Sequence, residues 1–217
     1  MKGWYVNMDN VIYRDLCKED YERIKELIYK AFGFDEFIQD KKYLDSISTA
    51  YLQSCILSSS FNKVAEKNNK IIGIILGKAE DDKNRLAKFH NILSYTSTGF
   101  KLIMCNKENR KIFKEFSKVH KAYNEIIEGK NKNFQGTINL FIVSEESRGL
   151  GVGKTLVHHV FDYMKSMDVK SLYLYTDNRC NYGFYDSQNF KRLNEKEIYF
   201  DSLQSKLNVF LYSYDFN

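Results

Sequence analysis

Between Ser144 and Thr155 the chain reads SEESRGLGVGKT, with Gly149, Gly151 and Gly153 at alternate positions and Lys154 and Thr155 directly behind them. Glycine lets a backbone approach another group with no Cβ in the way and takes positive φ readily. Here the turn lies between an apolar run, TINLFIV at 137–143, and a helical repeat, so it gathers amide N–H groups at the positive end of a helix. A phosphate or diphosphate suits that geometry, and counting residues narrows which one. The phosphate loop of nucleotide hydrolases needs four residues between its first glycine and Gly-Lys-Ser/Thr, but only Leu150, Gly151 and Val152 separate Gly149 from Gly153. The dinucleotide fingerprint G-x-G-x-x-G fails as well, because its last glycine would fall on Lys154. A small nucleotide kinase or NTPase thereby loses its main support.

What remains, Arg148-Gly149-Leu150-Gly151-Val152-Gly153, satisfies R/Q-x-x-G-x-G/A and resembles the acyl-CoA-binding motif of the GNAT acetyltransferase superfamily. A second stretch, TDNRCNYGFYDSQNF at 176–190, is similar to that family's N-x-x-A-x-x-x-Y-x-x-x-G-F signature, with Asn178 seven residues before Tyr185 and Phe190 five after it. It departs from the signature at Asn181, where the family has Ala, and at Asn189, where it has Gly. Asn tolerates the left-handed region better than most residues other than Gly, so the second departure keeps the backbone requirement.

The resemblance implies a GNAT fold, an α/β (α+β) domain over 1–217 with a central, mixed but mostly antiparallel sheet flanked by helices. It implies acetyl-CoA as co-substrate and an N-acetyltransferase acting on a small-molecule or peptide amine by direct attack. The alternative is a CoA-binding sensor or interaction module without turnover. By the same resemblance, the backbone of Ile142 and Val143 would pair with pantetheine like an added strand. Residues Arg148, Gly149, Leu150, Gly151, Val152, Gly153, Lys154 and Thr155 would hold the diphosphate. Asn178, Asn181 and Tyr185 would complete the cofactor site, with Tyr185 as proton donor to the departing sulfur. A phenol of pKa near ~10 can protonate a thiolate whose thiol resembles cysteine at about 8.5. Many relatives carry a Glu where this chain has Thr137, so no base is assigned, and a water relay or an amine of low pKa stands in its place. Glu145 and Glu146 are expected in a solvated turn and Asp177 as a cap. The adjacent His158 and His159 point in different directions on a helix and are expected at its surface. Cys180, with no histidine near it in sequence, reads as a bystander thiol.

The elements that would position these groups follow from periodicity. VIYRD at 11–15 reads as a strand, Asp20 to Phe32 as an amphipathic helix and Tyr43 to Leu57 as a second one. Phe61 to Ala65 and Ile71 to Lys78 flank EKNNK, whose paired asparagines suit a hairpin turn. Residues 81–133 read as an insertion of two helices between the third and fourth strands, with Ile112, Phe116, Val119, Tyr123 and Ile127 along one face. That insertion would cover the acceptor side or form a homodimer face. Thr137 to Val143, a helix through Val152, Leu156, Val160, Phe161 and Met164, and SLYLYT at 171–176 make a βαβ unit. A short helix at Tyr182 to Gln188 and strands at Lys196 to Phe200 and Asn208 to Tyr214 complete the sheet.

The chain's 217 residues suffice for one sizeable core, and 43% hydrophobic with 28% charged residues is the balance of a soluble globular protein. No apolar run nears the roughly 18 residues of a membrane span, and MKGWYVNMDN lacks the apolar core of a secretory signal, so a cytoplasmic protein with no membrane partner is expected. Cys17, Cys55, Cys105 and Cys180 stand singly, which points to reduced thiols and no metal. The net charge of +5 comes from lysines interleaved with acids, a pattern that gives no support to nucleic-acid binding.

Overall fold

The structure, a computed structural model, describes residues 11–84, 86, 107–201 and 203–216. The first of the two helices expected in the insertion, Cys105 and the N-terminal ten residues lie outside the described residues, as does the side chain of Ile112. Seven strands form one sheet: β1 Ile12–Arg14, β2 Phe61–Lys67, β3 Lys70–Ala79, β4 Gly136–Val143, β5 Ser171–Asp177, β6 Lys191–Phe200 and β7 Ser205–Asp215. Their spatial order is β1-β2-β3-β4-β5-β7-β6, and every pairing is antiparallel except that of β4 with β5. A parallel neighbour needs a crossover, and α5 (Val152–Ser166) supplies it. Helices α1 (Tyr21–Phe32), α2 (Phe34–Phe37) and α3 (Lys41–Leu57) join β1 to β2, α4 (Lys107–Ile127) precedes β4, and α6 (Gly183–Ser187) follows β5.

Strand alternation sorts side chains onto two faces. On one face Ile75, Ile138, Leu172, Leu174, Phe210 and Tyr212 meet Leu156, Val160 and Met164 of α5. On the other, Ile74, Leu76, Leu140 and Ile142 meet α1 and α3. Farther along that second face, Ala122, Ile126 and Ile127 of α4 cover Ile198, Leu207, Val209 and Leu211. Helix α4 therefore roofs the C-terminal half of the sheet. Phe116, Val119, Tyr123 and Ile127 all turn to core, as their spacing predicts.

The β2–β3 turn is the expected hairpin, closed by Asn68 and Asn69 at φ 53° and 59°. Helix α3 starts at Lys41, earlier than its apolar pattern suggests, because the Asp40 carboxylate accepts from the amides of Lys42 and Tyr43 at 2.9 and 3.3 Å. The short α2 carries no periodic signal of its own. Strand β6 likewise begins at Lys191 rather than Lys196: it is an edge strand, and its first residues are polar and exposed, which hides them from an apolar pattern.

Candidate functional site

The site begins with an irregularity in β4. Pairing with β3 runs from Val143 opposite Gly73 to Leu140 opposite Leu76, then shifts so that Ile138 faces Gly77. Asn139 is the extra residue of a β-bulge. Its side-chain amide donates to the Ser58 carbonyl at 3.0 Å and to Ser59 Oγ at 2.9 Å, which fixes it to the end of α3. Pairing of β4 with β5 covers Gly136–Ile138 against Leu172–Leu174 and stops at the bulge. Beyond that point the two strands diverge.

The divergence leaves backbone groups without a strand partner. The Ser144 amide donates to the Ile72 carbonyl at 2.8 Å, so residues 144 and 142 turn their backbone groups toward β3, and Phe141 and Val143 turn theirs toward the gap. The Val143 backbone thus faces the gap. Ile142, also in the cleft wall, pairs its backbone with β3 and buries its side chain in the core, and Phe141 turns its backbone to the gap beside Val143.

Above the gap lies the glycine turn. Gly149 and Gly151 have φ of 81° and 72° and nothing within 4 Å of where a Cβ would stand, so glycine is needed there for conformation and not for space. Gly151 caps α5, and the first helical bond is the Thr155 amide to the Gly151 carbonyl. The amides of Val152, Gly153 and Lys154 therefore point out of the helix end with no acceptor among the described residues. Gly149, Gly151, Gly153 and Lys154 line the cleft, and Arg148, exposed and bonded to Glu145 at 2.9 Å, stands at its rim. Leu150 is 50% exposed and lies outside the cleft lining, the Val152 side chain is buried in the core, and the Thr155 hydroxyl turns back to the Gly151 carbonyl. Of these three, Val152 alone lines the cleft, and with its side chain buried it offers the cleft its backbone. The Asn178 side chain also turns away from the cleft. Its Oδ1 accepts the Asn208 amide at 3.0 Å, tying the end of β5 to β7. Asn181 does line the cleft, and Asn189 takes φ 62°, as the signature requires.

The cleft encloses about 1570 Å³, room for an extended ligand, and runs from the turn down the gap to a buried polar cluster. Tyr185 of α6 reaches it between Phe141, Phe184 and Tyr212. Burial first, then the nearby Cys180 and Asp177, raise its phenol well above the ordinary tyrosine range, so it keeps its proton. From the opposite face come Tyr51 and Cys55 of α3 and Tyr123 of α4. The Tyr123 ring stacks on Tyr175 at 4.1 Å, and the Tyr175 hydroxyl donates to the Tyr123 carbonyl at 3.2 Å. Burial pushes the Cys55 and Cys180 thiols up to about 12, so neither is a thiolate nucleophile at neutral pH. Tyr51, Tyr123 and Phe141 escape a reading of the sequence because their helical or alternating apolar spacing is that of core residues. Thr137 is buried beside Tyr173 and brings no carboxylate. Glu145 and Glu146 occupy an exposed turn, with Glu146 held by Lys70 and Arg23. Across the lips of the cleft, the Arg179 guanidinium meets both Glu36 carboxylate oxygens at 2.7 Å. His158 is exposed and His159 lies against Tyr13, away from the cleft.

Residues 106–190 match the model of the acetyltransferase (GNAT) family. Solved structures of the same fold include the ribosomal-protein-S18-alanine N-acetyltransferase of Escherichia coli, at 10% identity and a TM-score of 0.54 over 95% of this chain and 94% of that one. The ribosomal-protein-alanine N-acetyltransferase of Brucella melitensis matches at 12% identity and a TM-score of 0.55 over 94% and 99%. A Bacillus anthracis str. Ames structure, assigned as a streptothricin acetyltransferase and holding acetyl coenzyme A, matches at 15% identity and a TM-score of 0.50 over 97% and 100%. No curated protein matches the sequence.

Proposed function

We propose, from the premise that residues 106–190 carry a GNAT acetyltransferase domain, that this chain transfers an acetyl group from acetyl-CoA to a primary amine of a small-molecule or peptide acceptor. The observation that carries this reading is the parting of β4 from β5 at Asn139, below a glycine turn and helix start where the amides of Val152, Gly153 and Lys154 have no acceptor among the described residues. The donor set fits a diphosphate on a flexible amide-bearing arm. The amides of Val152 to Lys154, with the Arg148 and Lys154 side chains nearby, would hold the diphosphate, and the free backbone edge of Phe141 and Val143 would hydrogen-bond the arm as an added strand. Acetyl-CoA, when bound, supplies an acyl carbon activated as a thioester. Tyr185, protonated and lining the gap, gives its proton to the leaving sulfur. Tyr51, Tyr123 and Tyr175 wall the side from which an acceptor would enter. The acceptor class is supported by the amine acceptors named for the two ribosomal-protein acetyltransferases above.

The phenolic wall and the buried Thr137 hydroxyl, at the position where the family resemblance implies an acid, also suit a module that binds CoA without turnover. Two measurements separate the readings. Acetyl-CoA and CoA are expected to raise the melting temperature and ATP to leave it unchanged. Thiol release is then followed with a panel of alkyl amines and peptides bearing free N-termini. Stabilisation by ATP alone would overturn the CoA site, and binding of acetyl-CoA with no thiol release from any amine would leave the non-enzymatic module.

A further inference from the structure

Six carboxylates line the cleft: Glu26, Asp35, Glu36, Glu145, Glu146 and Asp177. Glu26 is bound by Arg23 and Lys30, Glu36 by Arg179, Glu145 by Arg148, and Glu146 by Lys70 and Arg23. Asp35 is exposed on the first turn of α2. Asp177 differs from all of them. It is only 7% exposed, and no cation pairs with it among the described residues. Its Oδ1 accepts the amides of Arg179 and Cys180 at 2.8 and 3.2 Å, which forms the turn after β5. A buried carboxylate with no counter-ion is costly unless a cation comes to it.

Position in the strand says which side it serves. Leu172 and Leu174 point to the α5 face, so Tyr173, Tyr175 and Asp177 share the opposite one, where α4 and α3 wall the acceptor side. The carboxylate is near enough to the phenols of Tyr123, on that side, and Tyr185, in the gap, to add to the rise that burial gives each. Asp177 and Tyr185 therefore face the same cleft from different elements, the end of β5 and the helix α6.

We propose that Asp177 receives the acceptor's ammonium group and takes its proton, which makes it a catalytic residue of the acetyl transfer inferred above and restricts preferred acceptors to primary alkylammonium ions. The inference rests on the transferase reading. The first ammonium proton goes to the Asp177 carboxylate and from there to solvent. The freed nitrogen pair forms the N–C bond to the acetyl carbon while the C–S bond breaks, and its electron pair leaves with sulfur. Sulfur takes the Tyr185 proton, and the second proton shed by the acylated nitrogen restores the phenol. The sum is one amide, one thiol and one proton released.

The test is Asp177→Asn, because an amide oxygen still accepts from the Arg179 and Cys180 amides and the turn survives. Acetyl-CoA affinity and melting temperature should stay near those of the wild type. Thiol release with n-butylamine should fall about 100-fold or more, the span of general base catalysis. With p-anisidine, an aryl amine already neutral at pH 7, the loss should be at least about tenfold smaller, since no ammonium proton must be removed. Equal losses with both amines, or no loss with n-butylamine, overturn the proposal. Should the wild type bind acetyl-CoA and acetylate no amine, the transferase reading falls and the proton step falls with it. The ammonium site is then decided by thermal shift of the CoA-saturated protein with n-butylammonium: stabilisation of the wild type alone sustains it, and an equal response of the Asp177→Asn variant overturns it.

Discussion

At Gly151 a residue with a side chain would meet no neighbour, yet its φ of 72° is one that L-residues adopt at a penalty of about 1–2 kcal/mol. Gly153, two residues on, lies in the helix proper, where a Cβ would touch Phe141 and Phe184 at an ordinary 3.4 Å. The two glycines therefore respond to alanine with opposite signs. Gly151→Ala should lower stability by about 1–2 kcal/mol and weaken acetyl-CoA binding by tilting the free amides. Gly153→Ala should raise stability by about 0.5–1 kcal/mol through helix propensity, while narrowing the cleft between the two phenylalanines and weakening the same binding. Chemical unfolding paired with calorimetric titration reads both signs, and stabilisation by Gly151→Ala would contradict the left-handed cap. The turn was legible because glycine spacing is a local signal. Asp177 was not: its sequence neighbours make it look like a cap, which it is, and only the fold reveals that the same carboxylate is buried, turned to the cleft and without a cation partner among the described residues.

The turn is useful only if α5 sits where its N-terminus faces the gap, and β3 decides that. At Gly73 an added Cβ would stand 3.0 Å from Leu156 Cδ1 and 3.3 Å from both Val152 Cγ1 and the Ile142 carbonyl oxygen, all within the first turns of α5 or the strand carrying the free edge. Gly73→Val should destabilise by about 1–3 kcal/mol, as overpacking does, and should weaken acetyl-CoA binding beyond what lost stability explains, because it lifts the helix start. Ile126→Ala, which opens the remote core under α4, should cost about 2–5 kcal/mol and leave affinity for acetyl-CoA unchanged in the folded fraction. If both variants alter binding alike, the positioning role of Gly73 is wrong. Strands, helices and hairpin were readable here from period and turn chemistry. The bulge was not, since TINLFIV is apolar throughout and only contact of Asn139 with Ser58 and Ser59, about eighty residues away along the chain, sets where β4 breaks from β5. Likewise Tyr123 reads as one more apolar helix position until α4 is laid over Tyr175.

Across the whole molecule the sheet is two half-sheets joined at a vertex. Seven residue pairs link β3 to β4 and seven link β5 to β7, whereas three link β4 to β5. Helix α5 bridges the halves on one face, and on the other α1 and α3 hold the first half while α4 holds the second. Local opening should therefore be easiest along the upper edges of β4 and β5, where ladder bonds are missing. A ligand seated as an added strand supplies those bonds and ties one half to the other. At a concentration of 100 times Kd, acetyl-CoA should add about 2.7 kcal/mol to stability. For a chain of this size, each kcal/mol moves the melting temperature by about 2–4 °C, so a rise of about 5–11 °C is expected. Amide exchange locates the effect. Protection should increase at Phe141 and Val143 on one side of the gap and at Tyr175 and Asp177 on the other, together with Val152 to Lys154 at the helix start. Protection confined to the helix start would mean that the diphosphate is held but the arm lies outside the gap, and the added-strand placement would then have to be abandoned.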